Sequence, residues 1–208
     1  MADGVEGGLF YRNPDNHPLV REDQRFVEKH HRKVEKAFMD KKETKMNVSF
    51  SPLTEADRTA VVDLFNHYIE NSFAAYPEQK IPYDFFDVLM NMCKGYPTAS
   101  VKNTIAEVIG FGMLRPYNPI PAFAHTAEIT CFLKPQATGQ GIGRQLLSYL
   151  VQQAQEKGIR TLLASISSLN EGSIRFHRAN GFEECGRFNA IGRKNGRLFD
   201  VVYMQRKL

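Results

Sequence analysis

The chain has 208 residues and a formal net charge of +4, and 42% of its residues are hydrophobic while 24% are charged. This balance is ordinary for a folded globular protein and excludes a chain that is disordered throughout. No apolar run approaches the roughly 20 residues of a membrane-spanning helix, and no signal-peptide core is visible, so we expect a cytoplasmic protein without membrane contact. The weak, scattered positive charge falls short of the clustered basic face typical of nucleic-acid binding.

The cysteine pattern argues against both disulfides and zinc. Cys93, Cys131 and Cys185 are widely spaced, form no Cys-x-x-Cys pair and have no neighbouring histidine cluster. We therefore expect reduced thiols and no metal site. A nucleophilic role for Cys131 stays open, although small buried thiols in strands are commoner.

The first part of the chain differs in composition from the rest, and we expect an N-terminal extension over residues 1–46 followed by a domain over residues 47–208. The extension starts rich in Gly, Pro and Asn and continues as a charged stretch, 21–45, that can form a helix. Its narrow apolar stripe fits a helix leaning on its own domain or on a second subunit. An arm that binds a partner or a nucleic acid is the alternative.

The domain alternates between strand and helix patterns. Period-2 and period-3.6 spacings, with their caps and turns, predict the following segments in chain order. Strands are expected at 48–51, 98–102, 108–115, 126–134 and 161–166 and in a hairpin around 193–196, and helices after Thr54, at 83–93, 142–158 and 170–181. Short turns make the early strands antiparallel, whereas the strand, helix, strand unit around 142–158 implies a parallel pair, so the sheet is mixed.

A glycine-rich turn stands between the strand at 126–134 and the helix that follows. Its glycines are Gly139, Gly141 and Gly143. They let the backbone turn sharply against a ligand, while the free amides and the dipole of the new helix favour an anion such as a pyrophosphate. A Walker loop would need Lys where Arg144 stands, and a dinucleotide fold would carry the motif at its first strand. A turn that merely starts a helix is the other interpretation.

Three segments, one before this turn and two after it, carry a resemblance to a known family. They read TAEITCFLKP, NEGSIRFHRANGF and IGRKNGRLFDVVYMQ. In this order they are similar to the GNAT family of acetyl-CoA-dependent N-acyltransferases, and within it to the phosphinothricin and L-amino-acid N-acetyltransferase branch. The resemblance covers residues 46–208. It implies an α/β fold with a mixed, mostly antiparallel sheet of about seven strands, flanking helices and a splayed central strand pair. We also expect a homodimer.

The resemblance implies that acetyl passes from acetyl-CoA to the amine of a small amino acid or analogue, by direct attack with both substrates bound. In such enzymes the strand before the turn pairs with the pantetheine, and the amides of the turn hold the pyrophosphate. Carried over to this chain, the acetyl-CoA contacts are Cys131, Phe132, Leu133, Gly139, Gln140, Gly141, Ile142, Gly143, Arg144 and Asn170. Thr138 departs from the Gln or Arg that is usual in the family.

Glu128 is the candidate base. An amine attacks a thioester only as the neutral base, so a carboxylate must accept a proton, directly or through water. On a strand Glu128 points away from the apolar row that contains Ala127 and Ile129. Alternation alone fits either a base or a solvated charge on an exposed face. The branch carries an acidic residue here, which implies the base.

His177 is the second catalytic candidate. A histidine on a partly buried helical face is either structural or catalytic on the sequence alone. The branch carries a histidine at this position, which implies a group that donates a proton to the leaving thiolate or that orients Glu128.

Substrate contacts are expected from two segments and one loop, and the candidates are Phe73, Tyr76, Tyr83, Arg115, Phe123 and His125. In relatives the loop before the glutamate supplies basic and aromatic groups that grip the anionic end of the substrate, and here its basic character is reduced to Arg115. Aromatic residues in such segments fit core packing equally well.

Two other functions remain open on the sequence. A protein or peptide N-acetyltransferase would keep the reaction and need an open groove for its acceptor. A CoA-binding regulatory module would instead use residues 1–46 to engage a partner.

Overall fold

The computed structural model describes residues 46–208, through which a seven-stranded sheet runs. The strands are β1 (Ser49–Ser51), β2 (Thr98–Lys102), β3 (Val108–Pro116), β4 (Thr126–Leu133), β5 (Thr161–Ser167), β6 (Glu183–Lys194) and β7 (Arg197–Lys207). Their order across the sheet is β1-β2-β3-β4-β5-β7-β6. Only β4 and β5 pair in parallel, as the strand, helix, strand pattern predicts. The helix expected at 21–45 lies outside the described residues.

The described part of the chain has four α-helices, which flank the sheet. They are α1 (Arg58–Asn71), α2 (Phe85–Met92), α3 (Ile142–Glu156) and α4 (Glu171–Ala179). The predicted cap at Thr54 is present, because the Thr54 amide donates to the Asp57 carboxylate at 3.0 Å. It opens a short 3-10 turn, Glu55–Asp57, that leads into α1. At the other end of the domain, Asn195 and Gly196 both have positive φ and form the tight β6–β7 turn that Asn-Gly predicts.

The sheet is covered on both faces, and the alternation of side chains along each strand decides which face a residue serves. On one face, α3 and α4 pack against residues such as Ile129 and Leu162. On the other, α1 and α2 pack against Phe111 and Phe132. Glu128 shares the side of β4 that carries Phe132, so it points toward α1 and α2.

Candidate active site

The central strands β4 and β5 separate part-way along their length. Their ladder pairs Thr126 with Thr161, Ala127 with Leu162 and Glu128 with Leu163, and it ends there. Both strands continue beyond that point, and β4 stays paired to β3 through Leu133. The splayed pair expected from the sequence is therefore present, and Glu128 is the last paired residue at its opening.

The separation exposes one backbone edge of β4. The Lys134 amide donates to Ile109 on the β3 side at 2.7 Å, and backbone groups of alternate residues point to opposite neighbours. The N–H and C=O groups of Cys131 and Leu133 therefore face the gap. The Tyr68 hydroxyl from α1 donates to the Leu133 carbonyl at 2.6 Å. The gap consequently offers the Leu133 amide and both backbone groups of Cys131.

The Cys131 thiol is unsuited to nucleophilic catalysis. Burial raises its pKa to about 12, and burial likewise raises the pKa of Cys93 to about 11. A thiol of that pKa stays protonated near neutral pH, and only the thiolate is a good nucleophile. The arrangement therefore favours direct transfer between substrates over a covalent enzyme intermediate.

The glycine turn presents its backbone outward. Gly139 and Gly141 have φ values of +73° and +76°, a conformation that favours glycine. The Gln140 side-chain amide donates to the Gln136 carbonyl at 2.7 Å. Helical hydrogen bonding starts when the Gln145 amide donates to Gly141 at 3.2 Å. The preceding amides, of Ile142, Gly143 and Arg144, have no acceptor within the helix.

Glu128 is paired with Arg115 across the β3–β4 ladder. The two residues are register partners, so their side chains lie on one face of the sheet, and the Arg115 guanidinium forms an ion pair with the Glu128 carboxylate. The Glu128 side chain is 15% exposed and that of Arg115 38%. Arg115 Nε is buried without a hydrogen-bond partner in residues 46–208. The site thus holds a carboxylate and a guanidinium side by side.

An aromatic wall stands next to this pair. Tyr76 stacks on Phe199 with ring centroids 5.5 Å apart, and Phe73 meets the same ring edge-on at 6.2 Å. The Tyr76 hydroxyl approaches the Ser165 carbonyl of β5 at 3.4 Å. Burial first, and the nearby Glu128 carboxylate to a smaller extent, raise the pKa of Tyr76. Tyr76 therefore lies beside β5 and close to Glu128, and Phe73 is joined to it through the shared Phe199 ring.

His177 lies on the opposite face of the sheet from Glu128, next to Phe182 of the core beneath α3 and α4. It belongs to α4, is 8% exposed, and packs edge-on against Phe182 at 4.9 Å. Its Nδ1 lies 2.8 Å from the Ser173 carbonyl, which can only accept, so Nδ1 carries the proton. Burial lowers the pKa of His177, against the opposing effect of that hydrogen bond. The neutral ring therefore has an unprotonated Nε2, which is an acceptor.

The Acetyltransferase (GNAT) family model matches residues 61–182, more than half of the chain. The chain belongs to the GNAT acetyltransferase family. A solved phosphinothricin acetyltransferase from Sinorhizobium meliloti, in complex with AcCoA, is 30% identical with a TM-score of 0.74, over 78% of this chain and 89% of the other.

Two further GNAT relatives differ in the acceptor that they are named for. The L-methionine sulfoximine/L-methionine sulfone acetyltransferase of Pseudomonas aeruginosa is 29% identical over 78% of this chain and 96% of its own. The solved ribosomal-protein-alanine N-acetyltransferase of Brucella melitensis is 33% identical, with a TM-score of 0.72, over 77% of this chain and 99% of its own.

Acetyl-CoA is the acetyl donor of this GNAT enzyme, and the residues described above fit it. The extended edge of β4 offers donors and an acceptor suited to an amide-containing arm, and the free amides at the start of α3 suit a pyrophosphate. Asn170 caps α4, its side-chain oxygen accepting from the Ser173 amide at 3.2 Å. The Asn170 side-chain nitrogen makes no hydrogen bond within residues 46–208 and is left as a donor.

Three of the substrate candidates make their contacts with groups other than Glu128 and Arg115. The Tyr83 hydroxyl donates to Asp63 at 3.0 Å on the outer side of α1, where both residues line an open surface pocket. Phe123 is exposed and meets Tyr117 edge-on at 5.7 Å. His125 is also exposed, and its carbonyl accepts from the Arg160 amide at 2.8 Å. Arg115, Phe73 and Tyr76 are therefore the candidates that the fold gathers.

The sequence interpretation missed four residues of this region. Tyr68 and Phe199 look like ordinary core aromatics, and Ser165 contributes only its carbonyl. Lys194 is the fourth: it is 1% exposed, and its ammonium donates to the carbonyls of Ile69, Ser72 and Ala75 at 2.6, 2.8 and 2.7 Å. Burial lowers the pKa of Lys194, opposed by the Glu78 carboxylate. In the sequence Lys194 stands next to the Asn-Gly turn, and nothing in that pattern indicates that its side chain is buried.

Within residues 46–208, no group of three or more His, Cys, Asp or Glu side chains could hold a metal ion. No helix in the same part of the chain combines the length and the apolar character that crossing a bilayer requires.

Proposed function

We propose that this protein transfers the acetyl group of acetyl-CoA to the α-amino group of a small amino acid or amino-acid analogue, by direct attack with both substrates bound. The observation that carries the proposal is the position of Glu128. Its carboxylate stands at the opening of the splay, next to a guanidinium and an aromatic wall. The names of the Pseudomonas and Sinorhizobium relatives support an acceptor of this class.

Acetyl-CoA is held by this chain's backbone. Cys131, Phe132 and Leu133 form the strand edge for the pantetheine arm, Asn170 adds a side-chain donor, and the pyrophosphate is held by the turn from Gly139 through Gln140, Gly141, Ile142 and Gly143 to Arg144. When bound, acetyl-CoA supplies a thioester whose carbonyl carbon is open to attack by an amine.

Glu128 prepares the amine. Near neutral pH an amino acid carries an ammonium group, and Glu128 accepts a proton from it, directly or through a water molecule. The ion pair with Arg115 holds the carboxylate in place. Because a guanidinium also binds carboxylates bidentately, Arg115 can recognise the acceptor's own carboxylate while it stays beside Glu128.

His177 acts as an acceptor that orients a group at the splay. The Ser173 carbonyl requires the proton on Nδ1, which leaves Nε2 bare, and burial disfavours the imidazolium form. Of the two roles that the resemblance implies, orientation fits this protonation state better than donation of a proton to the thiolate.

A protein N-terminus is the second candidate acceptor. The name of the Brucella relative, whose acceptor is an alanine of a ribosomal protein, favours it. The chemistry at Glu128 is the same for either α-amine. Tyr76 stacks on Phe199 and Phe73 meets the same ring edge-on, and an acceptor side walled by these rings suits a small molecule better.

The proposal also includes a cytoplasmic homodimer. The three free thiols fit a reducing compartment. Within residues 46–208, no strand pairs with the outer edge of β6, which carries exposed apolar side chains at Phe188 and Ile191. A second copy of the chain can pack on such an edge with twofold symmetry, the commonest symmetry of oligomers.

Thiol release tests the reaction directly. Purified protein is incubated with acetyl-CoA and a panel of L-amino acids, L-methionine sulfoximine, phosphinothricin and a peptide that begins with alanine. We expect turnover with at least one free amino acid or analogue. The Glu128→Gln variant should lose about 10²- to 10⁴-fold in kcat, because it lacks the proton acceptor, with an unchanged Kd for acetyl-CoA.

Glu107→Gln is the matched control, since Glu107 is an exposed carboxylate near the start of β3, ion-paired to Lys134, and should leave kcat unaltered. Turnover of the alanine peptide, with none of any free amino acid or analogue, would favour a protein N-terminus as the acceptor over a small molecule. Full activity of Glu128→Gln would remove Glu128 from the chemistry.

A further inference from the structure

The segment over residues 72–78, called here the acceptor loop, follows α1 and carries two of the three rings of the aromatic wall, Phe73 and Tyr76. The helix C-terminus that precedes the loop leaves carbonyl groups without partners inside the helix. Ser72 satisfies one of them, because its hydroxyl donates to the Tyr68 carbonyl at 2.8 Å. The other local carbonyls depend on a group from elsewhere in the chain.

Lys194 supplies that group from the end of β6. An ammonium has three N–H donors, and Lys194 Nζ meets three carbonyls, those of Ile69, Ser72 and Ala75, at 2.6, 2.8 and 2.7 Å. Because the three N–H donors of the ammonium match the three carbonyl acceptors, the Lys194 side chain stays protonated although it is buried. A cation at this helix end also interacts favourably with the helix dipole.

The next residue strengthens the same link. The Asn195 amide donates to the Glu78 carboxylate at 2.7 Å, at the far end of the acceptor loop. The β6–β7 hairpin therefore binds the loop at its start, its middle and its end. The same hairpin carries Phe199, on which Tyr76 stacks, and Arg197, whose guanidinium lies 5.2 Å from the centroid of the Phe73 ring.

We propose that Lys194 is a positioning residue for the acceptor: it fixes the acceptor loop on the β6–β7 hairpin, so that Phe73 and Tyr76 form the wall of the acceptor pocket beside Glu128. The proposal rests on the proposed function, since it assigns the acceptor to this side of the splay. Acetyl-CoA lies on the other side, along β4 and the glycine turn, and does not depend on this link.

Kinetics and hydrogen exchange together test the proposal. In Lys194→Met the three carbonyls lose their donors, and we expect the KM for the best acceptor to rise about tenfold while the KM for acetyl-CoA stays within about twofold. Amide exchange should accelerate in residues 72–78 and not in β4. Lys194→Arg, which keeps the charge and several donors, should recover part of the acceptor KM.

Lys102→Met is the control for a merely structural role. Lys102 forms an ion pair with the buried Asp57 at 3.0 Å, far along the sheet, so its loss should lower Tm without changing the acceptor KM. If Lys194→Met does not fold, Glu78→Ala tests the proposal in its place, because Glu78 is exposed and its carboxylate ties the same loop to Asn195. A raised acceptor KM with unchanged acetyl-CoA affinity then supports the proposal.

Two results would overturn it: an unchanged acceptor KM in folded Lys194→Met or in Glu78→Ala, or equal losses for both substrates. Unaltered exchange in residues 72–78 would do the same. Wild-type protein that turns over no acceptor would instead contradict the proposed function, and the exchange measurement would still test the link.

Discussion

His177 illustrates how burial and one hydrogen bond fix a protonation state. The ring is enclosed by Phe176 and Phe182, both edge-on, and its Nδ1 faces the Ser173 carbonyl. A charged imidazolium there would lose hydration that the Ser173 carbonyl replaces only in part. The neutral form is therefore favoured in the folded protein, and protonation opposes folding.

This state predicts how stability depends on pH. The unfolded chain binds a proton on histidine near a pKa of about 6.5, whereas folded His177 binds it only at lower pH, so stability falls as pH drops below about 6.5. Each unit of lowered pKa contributes about 1.4 kcal/mol. We expect urea unfolding at pH values from about 7.5 to 5.5 to show a steeper loss of stability for wild type than for His177→Gln.

The exposed His125 offers a comparison for that measurement. His125→Gln should retain the wild-type slope of unfolding free energy against pH, because folding leaves the exposed His125 ring in contact with water. Equal slopes for wild type and His177→Gln would show that the imidazole is charged, or free to become so, in the folded protein.

At the level of elements, the start of α3 combines a positive-φ turn with unpaired amides. Two residues after the helix ends, a second positive-φ glycine, Gly158, has a φ of +77°, close to the +76° of Gly141. A Cβ at either position would meet nothing within 4 Å. The two glycines thus have the same conformational requirement, and only Gly141 lies in the turn proposed to hold the pyrophosphate.

Replacing each glycine by alanine separates strain from binding. Both Gly141→Ala and Gly158→Ala should destabilise the protein by about 1–2 kcal/mol, because the left-handed conformation is unfavourable for residues with a Cβ. Only Gly141→Ala should also raise the Kd for acetyl-CoA, by about tenfold, as its turn relaxes away from the binding conformation. Calorimetric titration and thermal unfolding measure the two effects.

Equal acetyl-CoA affinities of the two variants would contradict the assignment of this turn. Weakened binding by Gly158→Ala alone would place the pyrophosphate elsewhere. Stability changes without any change in affinity would show that the turn merely starts the helix.

At the level of the whole molecule, the candidate site residues are distributed over both faces of one sheet. Residues on the α1 side supply the acceptor wall and Glu128, and residues on the α3 side supply His177 and the glycine turn. The sheet ends at β6, whose side chains from 183 to 191 are exposed. An exposed edge strand of this length is a surface that a folded protein ordinarily covers.

The proposed dimer can be tested at that edge. Ile191 is 62% exposed, and Ile191→Glu should shift the protein from dimer to monomer, because a charge would be buried in an apolar contact. Light scattering coupled to size exclusion measures the mass. Ile105→Glu is the control, since Ile105 is 79% exposed in the β2–β3 turn and should leave the mass unchanged.

A wild-type mass of one chain at micromolar concentration would contradict the dimer. A dimer unaffected by Ile191→Glu would place its interface on another surface.

Local patterns predict much of this fold and part of its candidate site. The Thr54 cap, the turn at Asn195 and the stripe along α3 depend on neighbours in sequence, so their residues identify them directly. The pairing order β5-β7-β6 and the length of the β4–β5 ladder depend on contacts between distant residues, and no local pattern encodes them.

The sequence alone determined that Glu128 would oppose an apolar row and that a glycine turn would follow its strand, because strand alternation and φ preferences are local properties. Only the tertiary structure decided that Arg115 faces Glu128, that Tyr83 lies on another surface and that Lys194 is buried. These outcomes follow from register and from the matching of donors to unpaired carbonyls across as many as 125 residues. These contacts form only when the chain has folded.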